Sequence, residues 1–323
     1  MGASECGLMT PAIRLHVFAF LIVSLTGTAL FASENPASLK FPAHYVDDFN
    51  GHVTQGGFLR LQIKAGVELS LNDVPVDQID GLALIGFGRD APLRQKLTFH
   101  APHAADKSGD SMVIELTQRD YRLQYIDGLP PQMVTPPEDA LPRIRAQSKQ
   151  KRAARAKISR QPWMADALRA GLRDGVDWPV IGRVSGVYGS QRFYNRQPRR
   201  PHFGIDIAAP KGTPIRAPMA GEITLSEPDM YFEGGLIFID HGLGLISAYM
   251  HLDSLFVRAG DHVARGQIIG TVGSTGRSTG PHLDWRLFWR DQRLDPQLLA
   301  GAMPPLQSPD SDAIRPRPRP SAD

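Results

Sequence analysis

Three short stretches of the chain carry side chains that could do chemistry together. His202 and Asp206 lie four residues apart in RPHFGID. His251 sits in Tyr249-Met250-His251-Leu252, and His282 and Asp284 sit in Gly280-Pro281-His282-Leu283-Asp284. Imidazole nitrogens and carboxylate oxygens are the donors of a catalytic zinc site, which takes three protein ligands from His, Asp and Glu and keeps a fourth position for water. In an extended chain, residues i and i+2 or i and i+4 project to the same face. Each pair could therefore reach one ion, with Leu283 turned into the core between His282 and Asp284. A single such segment would mean little, and a lone histidine in an apolar strand is ordinarily a satisfied core residue. The order of the three, with glycine and proline around them, points to one site.

Such a site needs strands to carry it. From Trp178 to about residue 300 the sequence is glycine-rich and reads as strands at 221–225, 236–240, 245–249, 267–272 and 283–288. From about Val53 to Tyr125 the pattern alternates at period two, as in Leu59, Leu61 and Ile63 interleaved with Arg60, Gln62 and Lys64. Tyr121, Leu123 and Tyr125 repeat the alternation near the end. Short alternating runs broken by Asn-Asp, Gly and Pro turns predict a small antiparallel β-sandwich of the Ig-like kind. His100 and His103 read as solvated loop histidines. The expected fold class is therefore mainly β: an N-terminal sandwich (33–128), a proline-rich linker with a basic helix (129–177), and an antiparallel β domain (178–300).

The helix is expected at about 138–157, with Glu138 and Asp139 in its first turn and Lys and Arg dominating later turns. It reads as a solvated arm; its functional version is weak attraction to an anionic membrane or wall surface. Residues 301–323, rich in Pro, Ser, Asp and Arg, read as a disordered tail. Arg14 and His16 precede an apolar run closed by small residues, which reads as a signal peptide over 1–32; a retained anchor is the alternative. The only cysteine, Cys6, precedes that run and so belongs to no disulfide or cysteine-based metal site.

With 42% hydrophobic and 21% charged residues in 323, the chain is no disordered polymer. A net charge of +3 is too small to argue for nucleic acid. GSTGRSTG lacks the GK[ST] ending of a phosphate loop. His241 and His262 read as turn and hairpin residues. Residues 217–221 and 260–273 echo biotinyl and lipoyl carriers, which display a lysine on a turn. After Lys157 the only lysine is Lys211, between Pro210 and Gly212, and the carrier reading fails.

The stretch from 178 to 299 resembles the lysostaphin-type (LytM-like) zinc endopeptidases that cut peptide cross-links in bacterial cell walls. The resemblance rests on Gly189 in VSGVYGSQR, RPHFGIDIAAPKGTPIRAP, GEI, FIDHGLGL, AYMHL, GDHVARGQIIGTVGSTGRSTGPH and the following HLDW. It implies one zinc ion held by His202 and Asp206, with His251 and His282 as catalytic groups, and a peptidoglycan peptide as substrate. The family usually ends its motif H-x-H, where the second histidine is the third zinc ligand. Here that position is Asp284. Aspartate is a legitimate zinc ligand, but a His-Asp-Asp set would neutralise the ion and acidify a bound water less than neutral ligands do. Two carboxylates also tilt preference toward harder ions such as Mn²⁺; zinc remains the expected metal. The reading is an exported enzyme of the periplasm or cell envelope. Its alternative is a metal-poor pseudo-peptidase that binds and activates another cell-wall hydrolase, and a regulatory protein partner fits either.

Overall fold

The computed structural model describes residues 39–101, 109–128 and 135–305. The expected signal peptide (1–32), His103, residues 129–134 of the expected linker and residues 306–323 of the expected tail lie outside the described residues. Among the described residues, no helix is long and apolar enough to cross a membrane.

The alternating N-terminal sequence forms eight antiparallel strands: β1 (Val46–His52), β2 (Phe58–Ile63), β3 (Glu68–Leu71), β4 (Val74–Pro75), β5 (Gln78–Ile79), β6 (Leu82–Gly86), β7 (Arg94–His100) and β8 (Asp110–Glu115). They build two four-stranded sheets, ordered β1-β2-β6-β5 and β4-β3-β7-β8. Leu59, Leu61, Leu82 and Leu84 of one sheet join Leu69, Leu97, Phe99 and Ile114 of the other in one core. Asn72 and Asp73, at φ 49° and 65°, make the tight turn between β3 and β4. His100 ends β7 and is half-buried rather than lying in a solvated loop.

The alternation at 121–125 has a different outcome. β9 (Leu123–Ile126) leaves both sheets and pairs in parallel with a strand of the C-terminal domain, and Leu123 and Tyr125 are each 60% exposed. Alternation reports an extended strand, but not which sheet it joins.

A short 3₁₀ turn (Glu138–Ala140) opens α1 (Leu141–Ala156). This basic helix is not a solvated arm. Gln147 accepts from Tyr231 N at 2.9 Å and donates to Asp229 O at 3.1 Å, and Lys151 pairs with Glu233. Ala154 is buried in a second core, and the Arg155 guanidinium lies over the rings of Phe238 and Phe288. Arginine stems cover apolar surface well, so a helix that is cationic in sequence docks its one small-residue face. α2 (Pro162–Asp174) was not expected. Met164, Leu168 and Leu172, four apart, are its buried stripe, a signal present in the sequence.

The remaining strands are β10 (Arg183–Gly186), β11 (Gln191–Tyr194), β12 (Gln197–Pro198), β13 (Ile205–Ala208), β14 (Pro214–Arg216), β15 (Gly221–Met230), β16 (Gly234–Asp240), β17 (Leu245–Leu255), β18 (His262–Val263), β19 (Ile268–Val272), β20 (His282–Trp289) and β21 (Gln292–Leu294), followed by α3 (Pro296–Ala300). Ten of them form one sheet with the path β10-β13-β20-β17-β16-β15-β18. All of β16 is buried, because its two faces are covered by different cores. The N-terminal core is continuous with one of these. A Cβ added at Gly86 would lie 2.7 Å from Trp289 Cβ, and Asp77 holds both Arg160 and Arg290.

Candidate active site

The middle of the large sheet gathers the sequence-selected residues. β13 pairs with β20 so that Asp206 stands directly opposite Asp284 and Ala208 opposite His282. On β20, His282 and Asp284 share a face, with Leu283 fully buried behind them. His202 does not lie on a strand as its spacing suggested. It precedes β13 in a loop fixed by two backbone bonds, His202 N to Ser190 O (2.9 Å) and Gly189 N to His202 O (2.7 Å). One ligand atom each from His202, Asp206 and Asp284 fall within 4.8 Å of one another.

His251 reaches the site through a β-bulge. Between the pairs Ile237–Tyr249 and Gly235–Leu252 the register shifts, so Met250 and His251 oppose a single residue of β16. Such bulges re-aim side chains. Tyr249 and Leu252, three apart, consequently share one core, while His251 is displaced toward the site at φ 66°, a left-handed conformation uncommon outside glycine. Its amide donates to Glu233 O at 2.8 Å.

Both imidazoles have their tautomer set by a carbonyl. His251 Nδ1 lies 2.8 Å from Thr275 O, and His282 Nδ1 lies 2.8 Å from Gly280 O. A carbonyl only accepts, so each Nδ1 carries the proton and each Nε2 keeps a lone pair. Burial lowers the His251 pKa below the ordinary histidine value and His282 adds to that, against an opposing pull from Asp284.

The buried His202 ring is the clearest mark of a missing partner. Neither of its nitrogens makes a hydrogen bond, although Nε2 lies 3.1 Å from Asp206 Oδ1. An unsatisfied buried polar atom costs about 1–3 kcal/mol, which ligation of a cation would offset. The donor set of one imidazole and two carboxylates fits a divalent ion.

Sequence reasoning missed two arginines. Arg192 on β11 gives Nη2–H to Asp206 Oδ2 at 2.9 Å and Nε–H to Gln124 on β9 at 3.0 Å. Arg286 gives Nε–H to Asp284 Oδ1 at 2.9 Å and Nη2–H to Asp284 Oδ2 at 2.7 Å. Burial pushes both carboxyls upward. His202 with Arg192 on Asp206, and Arg286 with His202 on Asp284, outweigh it and hold both below the usual carboxylate range. The two carboxylate charges are thus each faced by a guanidinium charge, Arg192 on Asp206 and Arg286 on Asp284. Arg286 was findable, two residues beyond Asp284 on the same strand face; Arg192 was not, since only the fold brings β11 alongside β13.

Other histidines are structural. His241 lies in the turn between β16 and β17, as expected, but it is 1% exposed there, with Nδ1 2.9 Å from Ala220 O and Nε2 2.7 Å from Ser247 Oγ. His262 lies on short β18 with its ring 4.8 Å from that of Trp163.

An antiparallel β domain that converges one imidazole and two carboxylates on one buried point, beside two imidazoles whose Nδ1 atoms are tied to carbonyls, has the build of a metal-dependent hydrolase. The sequence profile described as Peptidase family M23 matches residues 200–296, and this stretch is an M23 peptidase domain. The chain is 40% identical over 135 residues to the DD-carboxypeptidase/endopeptidase Mpg of Neisseria meningitidis, covering 42% of this chain and 31% of that protein. It is 38% identical over 109 residues to the peptidoglycan DD-endopeptidase ShyA of Vibrio cholerae, covering 33% and 25%. The chain thus spans a third or less of the length of these curated relatives. A crystal structure of a putative peptidase M23 from Pseudomonas aeruginosa aligns over 77% of this chain and 95% of its own, at 29% identity and a TM-score of 0.58. That overlap is longer than the M23 stretch of 200–296.

Proposed function

We propose that this chain is an exported, zinc-dependent endopeptidase that hydrolyses peptide cross-links of peptidoglycan, with a DD-linkage as the bond cut. The observation that carries the reading is the convergence of His202, Asp206 and Asp284 within 4.8 Å, next to two imidazoles of fixed tautomer. The names of the Neisseria and Vibrio relatives support the substrate class.

His202, Asp206 and Asp284 would hold the ion. When bound, it supplies Lewis-acid polarisation of a peptide carbonyl and a water of lowered pKa. His251, kept neutral by burial, offers Nε2 as the proton acceptor. His282 Nε2, 3.9 Å from Asp206 Oδ1, can donate to the developing oxyanion once it carries a proton. The carbonyls of Thr275 and Gly280 stop either ring from turning its Nδ1 inward.

Zinc-loaded protein incubated with purified sacculi should release cross-link-cleaved muropeptides, detected by liquid chromatography and mass spectrometry. A chelator should stop the release and added zinc should restore it. His202→Ala should lose bound metal and activity together. Intact cross-links after prolonged incubation with loaded wild type would sink the assignment.

One observation favours a second reading, a metal-poor activator of another wall hydrolase: both Asp284 oxygens already accept from Arg286. Metal content separates the two, since an activator would hold no stoichiometric ion.

A further inference from the structure

Two carboxylates directly opposite each other on neighbouring strands repel, and Asp206 and Asp284 are so placed. Each has its own guanidinium, but the two arrangements differ. Arg192 takes one oxygen of Asp206 and leaves Oδ1 facing His202 Nε2 at 3.1 Å and His282 Nε2 at 3.9 Å. Arg286 takes both oxygens of Asp284 in a two-bond fork, the strongest geometry available to an Arg–carboxylate pair. Asp284 is 3% exposed, so little water competes for it.

The pair is seated against bare backbone. A Cβ at Gly204 would come within 2.5 Å of Arg286 Cγ and 2.7 Å of Asp284 Oδ1. Glycine at 204 therefore leaves the space that the fork occupies, and the strand geometry fixes Arg286 on the same face as Asp284.

We propose that Arg286 is an internal counter-cation that competes with the divalent ion for Asp284, so that the metal-free fold is stable and the site loads reversibly. The identity of the ion rests on the peptidase reading above; the competition does not. A fork uses one lone pair on each oxygen, leaving the ion the remaining pairs of a carboxylate whose charge is already matched. The protein thus carries a resident positive charge where a metal site would ordinarily present only attraction. Removing that charge exposes two facing carboxylates, which destabilises the empty site and strengthens its pull on a cation.

The test is a zinc titration of the full-length metal-free protein against a chromophoric competing chelator, with thermal melts of the empty and loaded forms. Arg286→Met should bind zinc about 10–100-fold more tightly than wild type and should melt lower when empty. Its shift on loading should be larger, because ligand stabilisation follows affinity. Arg286→Lys, whose ammonium cannot fork both oxygens, should bind several-fold more tightly and is the variant to read if Arg286→Met does not fold. Asp284→Asn should bind more weakly. A merely structural arginine would give the opposite sign, so equal or weaker zinc binding in folded Arg286→Met or Arg286→Lys overturns the proposal. If wild type takes up no zinc while Arg286→Met does, the counter-cation stands and the metallopeptidase reading of the wild type falls.

Discussion

His251 and His282 face each other with ring centroids 4.8 Å apart and planes at 49°, each tied through Nδ1 to a main-chain carbonyl. Neither ring can meet the other's need, so both Nε2 atoms remain available to a third party. Replacing His251 by Ala should leave zinc stoichiometry unchanged and lower turnover about 10²–10⁴-fold, the usual worth of a positioned acid or base. His282→Ala should do the same. Metal analysis beside muropeptide release checks both, and loss of the ion in either variant would make that residue a ligand instead.

The acid limb of activity follows from the same burial. The His251 pKa is lowered from 6.5 chiefly by desolvation, so the neutral ring is the form present at pH 7. Activity should therefore hold through pH 6.5 and fall only at lower pH, as the ring gains its proton. An initial-rate profile on metal-loaded enzyme reads this. A midpoint above 6.5 would show that another group controls the limb.

How much of this was legible depends on what each signal reports. Residue type and order disclosed His202, Asp206, His251, His282 and Asp284 as one set, because ligand chemistry depends on side-chain identity. Period two disclosed the strands, and the core placement of Leu283 followed from it. The partners of the set were hidden for a physical reason. Arg192, Thr275 and Glu233 reach the site through strand pairing and loop closure, which depend on contacts far apart in sequence. The bulge at Met250–His251 also left no trace, since Tyr-Met-His-Leu fits an unbroken strand equally well. The docking of α1 was masked by its charge: Ala154 and the Arg155 stem are its apolar face, and a reading by charge sees only cations.

Lys151 links that helix to the site. Its ammonium pairs with Glu233, both side chains being mostly buried at 14% and 16% exposure, and Glu233 O receives the His251 amide. Lys151→Ala would leave a mostly buried carboxylate unpaired, a change costing about 3 kcal/mol, and would loosen the turn that holds the bulge. Turnover should fall more than substrate affinity does. Lys151→Arg should recover most of it, whereas an unaltered kcat in Lys151→Ala would mean the helix merely covers the second core.

Gly186 and Asp206 allow a steric test. A Cβ at Gly186 would lie 2.2 Å from Asp206 Oδ2 and 2.8 Å from its Cγ, inside any tolerable contact. Gly186→Ala must therefore push the carboxylate off its place or shift β10, at about 1–3 kcal/mol for an overpacked site. Zinc affinity should fall along with the melting temperature. Wild-type affinity in a folded Gly186→Ala protein would argue that Asp206 is not a ligand.

Asp240 and His241 give two opposed pH dependences from neighbouring positions. Burial raises the Asp240 pKa from 3.8 to about 6, partly countered by bonds from Gly242 and Ser159 amides. Burial lowers His241 from 6.5 to about 4, partly countered by its bond to Ala220 O. For His241 the unfolded chain binds the proton first, so its contribution is complete above pH 6.5 and is lost as pH falls toward about 4. For Asp240 the folded chain binds the proton first, so stability is gained as pH falls through about 6 and is complete below 3.8. Each shift spans a little over two pH units, or about 3 kcal/mol at 1.36 kcal/mol per unit. The windows overlap and the signs oppose, so the pair contributes almost no net slope between pH 4 and 6. Single substitutions should unmask the halves. Relative to wild type, Asp240→Asn should lose stability on acidification from pH 7 to 4, and His241→Gln should gain it, each by about 3 kcal/mol. Urea unfolding of the metal-free proteins at pH 7, 5 and 4 measures both slopes; two variants that track the wild-type profile would show that neither group titrates in the folded core.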